Sequence, residues 1–395
     1  MTRRDWERDN VGKMGRRWIV VFLITAGLRA QALLNPERMS AAQKDFDRGF
    51  RDLPVSCDVM PIKPLLNFGF RFQAGYVARV PMNQYRGAGH AWTMITRVTP
   101  VDGSRAPFYF GDRRRLPPVP PQTKETFQVT GGFLLGEGKY QIDWKLTDDS
   151  GRVCSHRWTI DAHLGRSERQ IKPALPPDTV TDYGLRGATR IPQTDDAAPI
   201  RLTVLMHAAP INPRRTQLGP RDQMMLLGTL SSLLDRVPVR SVKLVVFNLD
   251  QQKELYRRED FVPESMGQVS RAIGALELGK VDYAVLRRKS GHLDLLSELV
   301  HEELDAKEPP DVVLFLGPQA RTSDKLARAE LERPQGLGTR FFYIQYRSLM
   351  PQQAGLPDTI NYAVNRMKGK TMVIRTPGDF ARAIGQIEHT PPSLP

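Results

Sequence analysis

Cysteine is nearly absent from this chain, since only Cys57 and Cys154 occur in 395 residues. So few thiols exclude a disulfide-rich scaffold and the cysteine-rich zinc sites. Long apolar runs are missing as well. The most prominent apolar run, Trp18–Leu28, ends at Arg29. It is too short for a membrane-spanning helix, which needs about 20 apolar residues. The sequence therefore predicts no stable membrane span.

Motifs for bound cofactors and for catalysis are also lacking. No glycine pattern matches G-x-G-x-x-G or the phosphate-binding G-x-x-x-x-G-K-[ST], so nucleotide binding has no support. No G-x-S-x-G elbow occurs, which argues against a hydrolase. No H-x-x-x-H or C-x-x-C spacing indicates a transition-metal site. We therefore predict a protein without a cofactor and without enzymatic activity.

Acidic side chains are fewer than basic ones, and the formal net charge is +14. The excess is spread along the chain, with local clusters at Arg113–Arg115 and Arg287–Lys289. Neither cluster is interleaved with aromatic residues or set in a nucleic-acid-binding motif. We predict no nucleic-acid partner.

The N-terminus has the three parts of a secretory signal peptide. Arg16 and Arg17 precede the apolar run, and Ala30–Ala32 supplies the small-x-small cleavage signal. We predict that residues 1–32 are a signal peptide, cleaved after about Ala32, and that the protein is exported to the periplasm or beyond the cell. Translation starts at Met1 or at Met14, which has the more typical spacing to the apolar run.

Export bears on the two cysteines. In an oxidising compartment, an even pair such as Cys57 and Cys154 is a candidate disulfide. The alternative is two buried free thiols that behave as small apolar side chains. The sequence leaves both open.

Residues 33–52 form a lead-in with a short helix around Ala41–Phe50, and residues 53–163 then show the two-residue period of strands. Seven residues are expected on one face of a long strand: Phe68, Phe70, Phe72, Ala74, Tyr76, Ala78 and Val80. The alternation at Tyr140–Leu146, the turn at Asp148–Gly151 and the return at Val153–Ile160 predict a hairpin. Short strands over this length predict an all-β immunoglobulin-like sandwich. The sequence from Gly136 to Arg152 also resembles the last hairpin of bacterial immunoglobulin-like modules.

Residues 164–199 are predicted as a Pro-rich linker, and 389–395 as a Pro-rich tail. Between them, residues 200–388 alternate apolar strands with amphipathic helices. This alternation predicts an α/β domain with a doubly wound, Rossmann-like parallel sheet.

The α/β half resembles a von Willebrand factor type A domain in the order and wording of four segments. Val242–Asp250 is similar to the family's second strand and its polar turn, and Met266–Leu276 to its second helix. Ser290–Ser297 resembles a ligand loop with the helix that follows it, and Asp311–Gly317 the fourth strand. Exported bacterial proteins that place such a domain after a β-sandwich are similar in arrangement.

The resemblance implies a metal-ion-dependent adhesion site, with oxygen ligands from a D-x-S-x-S loop, a threonine and an aspartate. This chain has His207–Ile211 at the loop, His292 at the threonine position and Gly317 at the aspartate position. All five expected ligands are absent, and Mg²⁺ requires oxygen ligands. We therefore predict no metal.

The leading hypothesis is an exported, non-enzymatic protein that binds another protein or a cell-envelope component, or acts in adhesion. Open α/β sheets bind ligands at the carboxyl ends of their strands. By topology alone, the candidate contacts are His207, Asn212, Arg214, Arg215, His292, Gln319 and Arg321. One alternative is a hydrolase or metalloenzyme that uses His207 and His292. Another is cation-dependent adhesion through atypical ligands. The oligomeric state stays open.

Overall fold

The computed structural model describes residues 32–34, 36–47, 54–102, 105–182, 199–212, 215–280, 283–320, 325–327, 331, 338–347 and 357–388. Residues Gln31–Pro395 form one compact unit. The predicted tail and, except for Ala32, the predicted signal peptide lie outside the described residues, as do residues 183–198 of the predicted linker. Within the described ranges, no helix is long and apolar enough to span a membrane.

Antiparallel strands make up the first half of this unit. Its elements in chain order are β1 (Ala32–Leu33), α1 (Pro36–Asp47), β2 (Asp58–Leu66), β3 (Phe72–Pro81), β4 (Ala91–Pro100), β5 (Phe108–Arg115), β6 (Thr126–Leu135), β7 (Gly138–Asp148), β8 (Val153–Ala162) and β9 (Val180–Thr181). The strands form two sheets, with the orders β1-β5-β4-β7-β8 and β2-β3-β6-β9.

The two sheets pack face to face because alternate residues of their strands are apolar. Tyr76 of β3 is fully buried against Trp144 of β7, with ring centroids 5.4 Å apart, and Trp92 of β4 is equally buried. The hairpin predicted from the alternation at Tyr140–Leu146 is present as β7 and β8. These large inward side chains fill the space between the sheets.

A disulfide joins the two sheets. Cys57 lies just before β2 and Cys154 lies on β8, with their Cα atoms 6.3 Å apart. The chain reaches this position along the edge of the five-stranded sheet, where the Val55 N–H donates to the Val153 carbonyl at 2.9 Å. It then enters the four-stranded sheet as β2, so the bridge lies where the chain changes sheets.

Helix α1 covers the outer face of the five-stranded sheet. Ala42 packs with Ile95 and Tyr109, and the Arg97 guanidinium lies 4.4 Å from the ring centroid of Phe46. The helix begins at Pro36, earlier than the predicted Ala41, because proline is well suited to the first helical turn. Residues 48–50 of the predicted helix lie outside the described residues.

The second half of the unit alternates strands and helices. Its elements are β10 (Ile200–His207), α2 (Pro220–Arg236), β11 (Val239–Asn248), β12 (Lys253–Arg258), α3 (Met266–Gly274), α4 (Tyr283–Arg287), α5 (Gly291–Leu304), β13 (Val312–Pro318), β14 (Arg340–Tyr346), α6 (Thr359–Arg366), β15 (Lys370–Ile374) and α7 (Pro377–Glu388). The strands form one sheet in the order β12-β11-β10-β13-β14-β15.

This sheet is mixed, which corrects the prediction of an all-parallel sheet. All neighbouring strands are parallel except β11 and β12, which are antiparallel. The turn between these two strands spans only Leu249–Gln252, too short for the crossover that a parallel pair needs. Strand β12 reads Lys-Glu-Leu-Tyr-Arg-Arg, and its position at the sheet edge explains why it lacks the apolar run of a buried strand.

Helices lie on both faces of the mixed sheet. Helices α2, α3 and α7 pack on the face that carries Val204 and Leu314. Helices α5 and α6 pack on the opposite face, which carries Leu205 and Phe315. Strand residues on both faces are buried, as expected for central parallel strands.

The turn between β2 and β3 joins the two halves of the unit. Asn67 Oδ1 accepts hydrogen bonds from the N–H groups of Gly69 at 2.9 Å and Arg71 at 3.2 Å. Phe70, at φ 52°, is fully buried and stacks on Phe380 of α7 with ring centroids 5.5 Å apart. The prediction that Phe68 and Phe70 belong to a long strand is therefore wrong, because this tight turn directs both rings into the second half.

Candidate functional site

The carboxyl-terminal ends of β10, β11, β13 and β14 lie side by side, and we call this border of the mixed sheet the carboxyl edge. His207 ends β10, Asn248 ends β11, Pro318 ends β13 and Tyr346 ends β14. The parallel direction of β10, β11, β13 and β14 brings these four ends together. Open α/β sheets bind their ligands at this position.

Gly317 and His207 pack directly against each other at this edge. Gly317 has φ 151°, and a Cβ placed on it would overlap the His207 carbonyl oxygen and lie 3.0 Å from the His207 Cβ. The His207 Nδ1 atom lies 3.2 Å from the Pro318 carbonyl oxygen, and the imidazole lies 5.4 Å from the Phe247 ring, centroid to centroid. His207 is only 1% exposed. Only glycine fits at position 317.

Asp358 is a buried carboxylate at the carboxyl edge. Its Oδ1 accepts hydrogen bonds from the N–H groups of Ile360 at 3.0 Å and Asn361 at 3.3 Å, which caps α6. Its Oδ2 accepts a hydrogen bond from Gln345 Nε2 at 2.6 Å and lies 3.2 Å from the Tyr343 hydroxyl. Burial raises the pKa of Asp358, and the hydrogen bonds from these donors oppose the rise. The network ties the start of α6 to β14.

The structure places the other predicted contact residues at different depths. His292 lies in the first turn of α5 and is 6% exposed. Arg215 is exposed, and Asn212 and Gln319 are half-buried, whereas Arg214 and Arg321 lie outside the described residues. The buried His207 and His292 therefore offer almost no contact surface to a partner.

Three of the positions at which the resemblance would place metal ligands carry no ligand side chain at the carboxyl edge. The position of the expected aspartate is Gly317, where no side chain fits, and Ala208 and Ala209 of the first loop are buried and carry no ligand atom. In the part of the chain that the structure describes, no group of three or more His, Cys, Asp or Glu side chains has the arrangement of a metal site.

An exposed basic turn flanks this edge, and we call Arg287, Arg288 and Lys289 the basic rim. All three side chains are exposed, and none forms an ion pair with a residue that the structure describes. Gln252, in the turn after β11, donates from Nε2 to the Arg288 carbonyl at 2.9 Å and so fixes the turn beside the edge. The sequence shows the basic cluster Arg287–Lys289, but only the fold shows that it lies beside the strand ends.

A shallow cavity of about 440 Å³ lies along α6, and we call it the α6 groove. It is lined by Lys325, Pro357, Asp358, Thr359, Asn361, Tyr362, Asn365 and Arg366. Sequence reasoning missed this groove. The only available signal was the helical spacing of Asn361, Tyr362, Asn365 and Arg366, which by itself indicates no more than a solvated helix face.

Comparisons with known proteins add no assignment. No protein-family model matches the sequence, and no curated protein matches it. Among solved structures, an ApaA protein from Bordetella pertussis has 12% identity over 29% of this chain and 99% of its own, with a TM-score of 0.20. The sporulation control protein of Bacillus subtilis has 16% identity over 28% of this chain and 50% of its own, with a TM-score of 0.15. A β-glucuronidase from Bacteroides uniformis has 9% identity over 79% of this chain and 38% of its own, with a TM-score of 0.19. At such low TM-scores, we take neither fold nor function from these likenesses.

Proposed function

We propose that this protein is exported and non-enzymatic, and that it binds another protein or a cell-envelope component through the carboxyl edge. In this proposal the second half is a von Willebrand type A-like domain without metal ligands. The first half is an immunoglobulin-like sandwich that carries it.

The order of elements supports the family part of the proposal. The four segments that resemble the type A family lie on β11, α3, the start of α5 and β13, in the order and with the element types that the resemblance implies. Strand order β12-β11-β10-β13-β14-β15 corresponds to the doubly wound order 3-2-1-4-5-6. In the first half, two antiparallel sheets bridged by Cys57 and Cys154 support the sandwich.

The contact between Gly317 and His207 is the main support for the functional part of the proposal, which is binding without a metal ion. A metal ligand at the end of β13 needs a side chain, and a Cβ at position 317 would overlap the His207 carbonyl oxygen. The carbonyl group and the Cβ of His207 occupy the space that such a side chain would need. The edge is therefore closed by packing, and a binding role is left to the exposed side chains around it.

The basic rim and Arg215 are exposed at this border and offer charge and hydrogen-bond donors to a partner. Exposed arginines are common in protein interfaces because their planar guanidinium groups donate several hydrogen bonds. The candidate contacts that we carry forward are thus the exposed members of this border, and the buried histidines drop out.

Site-specific photo-crosslinking tests the proposal in the intact producing cell. A photoreactive amino acid is placed at Arg288 in the full chain, and a matched control carries it at Lys139, an exposed residue of β7 in the first half. We expect one discrete adduct from position 288 and none from position 139. Adducts from position 139 alone would refute a partner at the carboxyl edge.

Two further measurements separate the alternatives. N-terminal sequencing of the protein from the cell envelope is expected to begin at Leu33, and an intact N-terminus in the cytoplasmic fraction would contradict export. Titration calorimetry with Mg²⁺ and Zn²⁺ is expected to give no binding heat. Heat with Mg²⁺ would support cation-dependent adhesion instead, and heat with Zn²⁺ that His207→Ala abolishes would support a metalloenzyme.

A further inference from the structure

We infer that the α6 groove binds a short acidic peptide segment through Lys325 and Arg366. This inference goes beyond the proposed function, since it assigns a separate site and a ligand class. The groove and the basic rim share no residue, so either can fail while the other holds.

Two cations meet over one tyrosine in this groove. The Lys325 Nζ and the Arg366 Cζ each lie 5.4 Å from the centroid of the Tyr362 ring, and Arg366 Nε donates to the Tyr362 hydroxyl at 3.1 Å. Both cationic side chains are exposed, and neither forms an ion pair with a residue in the described ranges. Both cations thus lie within cation–π distance of the same ring, which favours these positions of the two side chains.

The one carboxylate in the lining does not neutralise these charges. Asp358 is only 7% exposed, and both of its oxygens accept hydrogen bonds from within the protein. The groove therefore presents net positive charge, and a carboxylate is the complementary ligand group.

Two asparagines give the groove a preference for a peptide over other anions. Asn361 Oδ1 accepts hydrogen bonds from Thr371 Oγ1 at 2.7 Å and from Asn365 Nδ2 at 3.2 Å. These bonds orient both amides, and no residue that the structure describes bonds to Asn361 Nδ2 or Asn365 Oδ1. One donor and one acceptor thus lie beside the cations, which matches the N–H and C=O groups of a peptide backbone. A nucleic acid would need an open aromatic face for stacking, and here both cations approach the Tyr362 ring.

The helix presents these groups in a fixed register. Asp358, Asn361, Tyr362, Asn365 and Arg366 follow the spacing that places residues on one helix face. The opposite face of α6 is buried through Ile360, Ala363 and Val364, so the helix cannot rotate without losing core contacts. A preformed site of this kind lowers the entropic cost of binding.

Fluorescence anisotropy with labelled pentaglutamate tests the inference on the full chain. Arg366→Gln and Lys325→Gln each remove one cation of the groove, and Lys370→Gln is the matched control, because Lys370 is an exposed lysine at the start of β15 and outside the groove. We expect each groove variant to weaken binding by at least about threefold, as for loss of one exposed charge-assisted contact. The control is expected to bind as the unchanged protein does.

Several outcomes would overturn the inference. These are no binding of pentaglutamate, equal binding of pentaglutamine, an equal loss in Lys370→Gln, and tighter binding of pentathymidylate than of pentaglutamate. Asn365→Asp is a second variant that keeps the size of the side chain but adds a negative charge. It is expected to abolish pentaglutamate binding while the thermal unfolding midpoint stays within a few degrees.

Discussion

Replacing Gly317 with alanine tests whether the close approach of β13 to His207 stabilises the carboxyl edge. The change adds a single methyl group. At φ 151° this backbone conformation is almost restricted to glycine, and holding another residue there costs about 1–3 kcal/mol. The added Cβ would also overlap the His207 carbonyl oxygen, and such overpacking costs about 1–3 kcal/mol when the surroundings must shift.

The strain cost and the overpacking cost are not fully additive, because a shift of β13 away from His207 reduces both. We therefore expect the free energy of unfolding to fall by about 2–4 kcal/mol rather than by the full sum. Urea denaturation followed by far-ultraviolet circular dichroism measures the change, provided that the slope of the transition is the same in both proteins.

Gly267→Ala is the matched control for this measurement. Gly267 is exposed in the first turn of α3, and a Cβ there meets nothing within 4 Å. The same methyl group is thus expected to leave stability unchanged or raise it by up to about 1 kcal/mol. If Gly317→Ala shifts the unfolding midpoint no more than Gly267→Ala does, the packing argument for a closed edge is refuted.

Three other predictions concern the rest of the molecule. Phe70→Ala is expected to lower the free energy of unfolding by about 3–5 kcal/mol, since it empties a fully buried ring site between the two halves; a loss under 1 kcal/mol in urea denaturation would contradict that contact. Exchanging both Cys57 and Cys154 for serine opens a bridge between residues 97 positions apart and is expected to cost about 2–4 kcal/mol. Mass spectrometry without reductant that finds two free thiols would refute the bridge. Burial alone would raise the pKa of Asp143, but hydrogen bonds from Arg157 and its neighbours hold it below the ordinary 3.8, so this carboxylate stabilises the fold above pH 3.8 and loses that effect as the pH falls further. The stability difference between the protein and Asp143→Asn is therefore expected to shrink as the pH falls through 3.8, and a constant difference would refute the assignment.

Local patterns predicted the elements whose neighbours are close in sequence. The alternation at Tyr140–Leu146 marks β7, because one face of that strand is buried and the other is not. The apolar run at Val312–Leu316 marks β13, because both faces of a central parallel strand are covered. In both strands, the pattern of apolar residues directly reflects which faces of that strand are buried, so no distant contact is needed to predict the strand.

Patterns failed where a distant segment decides the structure. Phe70 continues the two-residue period of β3. It nevertheless lies outside the strand, because it belongs to the Asn67 turn and packs in a pocket formed by α2 and α7. The α6 groove depends on Lys325, which lies 37 positions before Tyr362 in the chain, and nothing near α6 in the sequence indicates that meeting. Asp358 reads as an ordinary helix cap, and only the fold brings Tyr343 and Gln345 to its second oxygen.

The packing of β13 against β10 explains why the strand ends are buried while the side chains around them are exposed. Without a side chain at position 317, β13 approaches β10 so closely that the His207 carbonyl group lies where a Cβ would otherwise be. An aspartate introduced at position 317 alone would strain the backbone, because its Cβ would overlap the His207 carbonyl oxygen. The packing at these two positions is therefore coupled, and a ligand site at the strand ends would require both to change. A partner that approaches this edge meets side chains that the packing leaves accessible, among them Arg215, the basic rim on the turn before α5 and the cationic α6 groove.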